Sequence, residues 1–219
     1  MTSSSTSQRY TFYEELANSI THGVGLLFAV SALGVLTAFS SVFGTVWHIV
    51  SCSVYSATMI LMYAASTLYH SIPWPKAKRV LRILDHSAIF LLIAGTYTPF
   101  TLVSLNGPWG WSLFGVIWGL AVLGILCEIF LLRKYRFLAV CIYVAMGWTI
   151  VVATKPLLSA VPMTGLVLLL IGGLFYTVGI IFYVSRKMPF HHAVWHLFVL
   201  AGTVFQFFAI LLYVIPVFS

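Results

Sequence analysis

Charge is what this chain has least of. Only 7% of its 219 residues are Asp, Glu, Lys or Arg, against 61% hydrophobic, whereas a water-soluble domain carries roughly 25% charged residues. The polar surface needed to cover a fold in water is missing, which excludes a soluble globular protein. Acids are scarcest, four against eleven Lys and Arg. Cysteine is also rare: Cys52, Cys127 and Cys141 form no CxxC and are odd in number, so they read as buried thiols and not as a disulfide framework.

The few charges are unevenly placed. None falls within Leu16–Pro75, His86–Cys127, Phe137–Thr154, Pro156–Ser185 or Met188–Ser219. A membrane-crossing helix takes about 20 mostly apolar residues, so the first two runs hold two spans each if each is broken, and the others hold one. Ser40, Ser41 and Gly44 break the first run; Ser104, Asn106, Gly107 and Pro108 break the second. The expected spans are Ser19–Phe39, Val46–His70, Ile83–Leu105, Trp109–Leu132, Phe137–Thr154, Pro162–Ser185 and His191–Pro216. A β-barrel would show short strands of alternating polarity, and these runs are apolar on every side. The fold class is therefore an all-α membrane protein, a seven-transmembrane-helix bundle. Residues 1–15 are expected to form a short cytoplasmic tail retained in the mature chain, because they are polar with two glutamates and the apolar stretch that follows is too long for a signal-peptide core, and 16–219 are expected to form one domain. Glycines 165, 172 and 179 recur every seven residues, and Gly115 with Gly119 makes a GxxxG; both read as helix-packing faces.

Positive residues are retained on the cytoplasmic side during insertion. The N-terminus and the loops on its face hold ten of the eleven Lys and Arg: Arg9, Lys76, Lys78, Arg79, Arg82, Arg133, Lys134, Arg136, Arg186 and Lys187. The other face holds Lys155. The N-terminus is expected in the cytoplasm and the C-terminus outside. Basic loops facing anionic lipid account for the net charge of +7 without a nucleic-acid partner.

On this topology the polar chemistry gathers at one end. His22, His70, His86, His191, His192 and His196 all fall at cytoplasmic helix ends, as do Glu14, Glu15, Asp85 and Glu128; His48 is the exception. His192 and His196 are spaced i, i+4, on one helix face. Ser66 and His70 share that spacing, with Ser66 one turn deeper, and Asp85 begins the next helix at a depth comparable to His70. Neighbouring Asp85 and His86 are about 100° apart around that helix, so at most one faces the others squarely. Three histidines with an open fourth position make a catalytic zinc arrangement. HxxxH alone is a weak motif, however, and interfacial histidines also serve headgroups and backbone carbonyls, so spacing leaves both readings open. Asp85 likewise has a plainer reading, as an ion pair with Arg79 or Arg82 or a charge at a helix N-terminus. Glu14 and Glu15 read as solvated or paired with loop lysines, and Glu128 as a partner of Arg133 or Arg186.

These residues carry a family resemblance. SxxxH (Ser66 to His70), LDHSAIFLLIAGTYTPF (Leu84 to Phe100), HHAVWHLFVLAGTVFQFF (His191 to Phe208) and the opening pattern of Glu14, Asn18, Thr21 and His22 resemble the bacterial hemolysin III proteins, the prokaryotic branch of the progestin and adipoQ receptor family. The resemblance covers nearly the whole chain. It implies seven helices, a cytoplasmic N-terminus, a bacterial inner (plasma) membrane and a zinc ion near the inner face. By motif, His70, His192 and His196 are the implied ligands, and Asp85 and Ser66 resemble the pair that holds the reactive water. Similarity of the family to alkaline ceramidases implies hydrolysis of a lipid amide or ester, with membrane lipids as partners. His86 and His191 receive no ligand role by this matching, and His22 no assigned role. Two rivals stand beside the hydrolase: a non-catalytic zinc-stapled receptor or regulator of lipid homeostasis, and a pore-forming hemolysin. The pore is disfavoured because the charges cluster at helix ends and not through the midplane.

Overall fold

A computed structural model describes residues 10–132, 135–185 and 187–216. Residues 1–9 of the expected tail, and Arg133, Lys134 and Arg186 of the basic loops, lie outside the described residues. Among those described, seven helices are long and apolar enough to cross a membrane: α1 (Phe12–Phe43), α2 (Val46–Ser71), α3 (Pro75–Leu105), α4 (Gly107–Leu131), α5 (Arg136–Ala160), α6 (Met163–Val184) and α7 (His191–Tyr213). Their outward faces are large and apolar, with Leu27, Phe130 and Val152 each more than two-thirds exposed. Such a surface suits lipid and not water.

Local chemistry sets helix starts that hydropathy places differently. Thr11 caps α1 in a reciprocal box with Glu14: the Glu14 N–H donates to Thr11 Oγ1 (3.3 Å) and the Thr11 N–H to Glu14 Oε2 (2.8 Å). The helix accordingly begins at Phe12, inside the stretch read as tail. At its other end α1 runs through Ser40 and Ser41, two of the residues taken as its break. Ser41 is tolerated there because its hydroxyl bonds back to the preceding turn, Oγ to the Ala38 carbonyl at 2.8 Å, and Ser40 is small enough to be buried in the helix interface. The break comes at Gly44 and Thr45, whose N–H donates to His48 Nδ1 at 3.0 Å. Helix α3 begins at Pro75 and not Ile83, since proline at the first helical position has its φ already set and needs no hydrogen-bond acceptor. Lys76, Lys78, Arg79 and Arg82 therefore ride on the helix itself. Asp85, expected at the head of α3, lies nearly three turns in.

Three helices depart from α geometry. After Pro99, α3 continues as π-helix over Phe100–Leu105, and α4 does so over Glu128–Leu132. In α5 the Thr149–Ala153 stretch tightens to a 3-10 helix. The Tyr97 hydroxyl intrudes there: it accepts from Ile150 N at 2.8 Å and lies 2.9 and 2.8 Å from the Met146 and Gly147 carbonyls, a side chain inserted into the backbone ladder.

Packing fixes α7 against α2 and α6. Tyr63 donates to Thr203 Oγ1 (2.8 Å), Tyr176 Oη lies 3.0 Å from the same oxygen, and Thr203 donates to the Val199 carbonyl (2.9 Å), which ties the three helices together within the bundle. Glycines 165, 172 and 179 form the α6 side of a seam against α7, as expected. A Cβ at Gly172 would stand 2.7 Å from Gln206 Nε2, and one at Gly179 2.7 Å from Phe198 Cβ. The GxxxG of α4 differs: a Cβ at Gly115 or Gly119 meets nothing within 4 Å, so that face packs against none of the described residues. Of the three free thiols only Cys52 is buried, and Cys141 is on the outer face; in a membrane bundle an apolar thiol is as well placed toward lipid as inside.

Candidate metal centre

Helices α1, α2, α3 and α7 place the polar residues of the basic end around one point. His70 near the end of α2, and His192 and His196 in the first two turns of α7, each offer a ligand atom, and the three atoms lie within 4.8 Å of one another. The rings are 4.5 to 5.2 Å apart by centroid, and all three residues are buried.

Two of the three imidazoles have their tautomer set from α1. Glu15 Oε2 is 2.6 Å from His70 Nδ1; a carboxylate only accepts, so Nδ1 carries the proton and Nε2 keeps its lone pair. The Asn18 amide, 3.4 Å from the same nitrogen, is the lesser contact. His196 Nδ1 lies 3.2 Å from the Asn18 carbonyl and 3.1 Å from Thr21 Oγ1, and the carbonyl again demands Nδ1–H. The other nitrogen of each ring is thereby free to ligate, an outer-shell arrangement common to metal-binding histidines. His70 Nε2 and His192 Nδ1 are buried without a hydrogen-bond partner among the described residues. Orphaned buried nitrogens are costly, and a cation at the centre of the three rings is the simplest way to satisfy them. The donor set fits a borderline-soft divalent metal such as zinc.

Glu14 fixes the start of α7. Phe190, at the left-handed backbone angle φ 56°, precedes His191, and its N–H donates to Glu14 Oε1 at 3.3 Å. Glu15 also pairs with Lys78, one of the lysine partners expected for the two glutamates. Tyr10 packs over the His70, His191 and His192 rings at 5.2 to 6.0 Å, and burial pushes its phenol well above the usual range, so it covers the site as a neutral group.

The remaining expected residues divide. Ser66 and Asp85 are buried and line one cavity with His192 and His196, and Ser66 Oγ has no partner among the described residues. Asp85 forms no ion pair among the described residues, so the Arg79 and Arg82 alternative is not the arrangement adopted. His86 lines the same cavity although it neighbours Asp85. It pairs with Glu128 (Nδ1 to Oε1, 3.0 Å); the other partners considered for Glu128, Arg133 and Arg186, lie outside the described residues. His191 is buried and donates to the Phe182 carbonyl at 3.0 Å. His22 was missed as a site residue: its ring stacks on His196 at 3.5 Å, and neither nitrogen has a partner among the described residues. The signal was its spacing on α1, one turn beyond Asn18 on the same face.

The cavity has a volume of about 400 Å³ and an overwhelmingly apolar lining. Its α7 wall runs from His192 to Gln206, about 21 Å at 1.5 Å per residue. Val151 and Leu158 of α5 and Leu170 of α6 line it while also being exposed on the outer surface, so it opens sideways between those helices.

Together these features define an integral membrane protein of seven helices with a buried three-histidine cluster under its basic end. Comparison with known proteins identifies which: the chain belongs to the haemolysin-III-related family, whose profile matches residues 10–207. It is 50% identical to Hemolysin-3 of Bacillus cereus over 203 residues, 93% of each chain. It is 46% identical to the Hemolysin-3 homolog of Bacillus subtilis (strain 168) over 208 residues, covering 95% of this chain and 98% of that one. More distantly it is 28% identical to the human monocyte to macrophage differentiation factor over 209 residues, covering 91% and 84%. With the seven apolar helices, the bacterial relatives place it as an integral protein of a bacterial membrane.

Proposed function

We propose that this protein is a zinc-dependent membrane hydrolase of a lipid amide or ester, working at the cytoplasmic end of a bundle whose N-terminus is cytoplasmic and whose C-terminus is external. The observation that carries the reading is the company the histidine cluster keeps. Two of its members share a cavity wall with a buried carboxylate and a buried hydroxyl that have no ion pair or hydrogen-bond partner among the described residues, and that cavity is apolar and open toward lipid.

His70, His192 and His196 are the residues that would hold the ion. When bound, zinc supplies Lewis acidity, acidifying water and polarising a carbonyl. Asp85 accepts the proton from the attacking water. Ser66 donates a hydrogen bond to the carbonyl oxygen as negative charge develops there. The apolar cavity holds the acyl chain and excludes bulk water, and its opening between α5 and α6 admits a lipid from the side. The basic residues Lys76, Lys78, Arg79 and Arg82 at this end support the cytoplasmic assignment. A structural zinc site would be closed by a fourth protein ligand, whereas Asp85 and Ser66 suit a reactive water.

The test is release of fatty acid from fluorescent ceramides and other acyl amides and esters by protein purified in detergent. Wild type is expected to turn over and Asp85→Ala to lose activity while keeping its metal. Absence of turnover across a broad lipid panel would leave the zinc-stapled receptor or regulator as the better reading.

A further inference from the structure

Glu128 is 1% exposed in a membrane-spanning helix, where an unpaired carboxylate is expensive. Its one ion-pair partner among the described residues is His86, through Oε1 to Nδ1 at 3.0 Å, and Oε2 is buried with no partner. A buried pair repays its desolvation only when hydrogen bonds satisfy the remaining lone pairs, and among the described residues Oε2 has none. The carboxylate also sits where α4 leaves α geometry for π-helical turns, a distortion that recurs at functional sites. Tyr143 of α5 donates to the His86 carbonyl at 3.0 Å, which braces this point of α3. His86 itself lines the cavity beside Asp85, and its Nε2 forms no hydrogen bond among the described residues.

Glu128 engages Nδ1, so Nε2 is the ring nitrogen left available to a substrate in the cavity that His86 lines. An imidazole held through one nitrogen can donate a proton from the other.

We propose that His86 is a catalytic residue that protonates the departing nitrogen of a lipid amide, and that Glu128 is the positioning residue that orients it. The inference rests on the hydrolase reading and narrows its substrate class to amides, whose alkylamine leaving group cannot depart without a proton. Water adds to the acyl carbon and gives a proton to Asp85. As the C–N bond breaks, its electron pair goes to nitrogen, which takes the Nε2 proton of His86. The proton on Asp85 returns to His86 through water, leaving a fatty acid and a free amine.

The test compares an N-acyl alkylamide with the p-nitrophenyl ester of the same acyl chain, whose leaving group needs no proton. His86→Phe is expected to lower kcat/KM for the amide by about 10²- to 10⁴-fold while holding the activated ester within about threefold of wild type. Glu128→Gln is expected to show the same split with a smaller loss. Equal loss on both substrates, or none on the amide, overturns the assignment. Wild-type turnover of the ester alone overturns the amide class but leaves the hydrolase reading, and no turnover of either ends both. Metal content at the wild-type level reports an intact fold; should His86→Phe lose its metal, His86→Gln, which keeps a polar group there, is read by the same criterion.

Discussion

Replacing Glu15 by Gln tests the centre through a residue that is not a ligand. Glu15 lies on α1 and touches the cluster only through His70 Nδ1, at 2.6 Å. The carboxylate holds the ring in the tautomer that leaves Nε2 free and makes that nitrogen a stronger donor. Loss of such an outer-shell partner weakens metal binding about 10- to 100-fold, or about 1.4 to 2.8 kcal/mol at 1.4 kcal/mol per decade. The glutamine amide offers a neutral acceptor at best, and its NH₂ can invert the tautomer, so the upper half of the range is expected. The assay is competition for Zn²⁺ against a chromophoric chelator in detergent micelles, with wild type alongside. Lys78→Met is the control, because it removes the other partner of Glu15 and keeps the carboxylate on His70; a partly exposed pair contributes about 1 kcal/mol or less. Zinc affinity unchanged in Glu15→Gln, or lowered as much in Lys78→Met, would refute the reasoning.

The ligand set predicts about one zinc per chain in wild type and none in the double variant His192→Ala, His196→Ala, measured by elemental analysis of protein purified without added metal; full retention would sink the assignment. In the α6–α7 seam, Gly172→Leu should destabilise the bundle by about 1–3 kcal/mol through overpacking, read as a lower Tm in detergent. Gly119→Leu, at a position where a Cβ meets nothing, should leave Tm unchanged.

Seven helices were legible because charge scarcity maps directly onto the hydrocarbon layer. Where each helix begins was less so, because hydropathy reports the lipid boundary and the backbone reports capping. Pro75 starts α3 in a basic stretch, Thr11 and Glu14 start α1 in a polar one, and Ser41 bonds back to the Ala38 carbonyl inside α1. The histidine cluster was visible as i, i+4 spacing and a shared helix end. Its supports were only half visible: Glu15, Asn18 and His22 stood at the right end of the bundle, but their contacts with His70 and His196 appear only when α1 is laid against α2 and α7. The pairing of His86 with Glu128 likewise depends on the rotation of α3 against α4, which no local pattern encodes.

The closure of α1 on α7 has a consequence for the order of events at the ribosome. The contacts of α1 with His196 and Phe190 join residues 175 to 178 positions apart, so they form only once the last helix has been made. Until then Asn18 and His22, and the capping carboxylate of Glu14, enter the bilayer without their final partners, and His70 stands alone with the other two histidines of the cluster still unsynthesised. A chain halted before its seventh span can be inserted yet holds only one of the three clustered histidines. The three-histidine cluster of α2 and α7, and the α1 contacts that brace it, are thus complete only when the last helix has joined the first two.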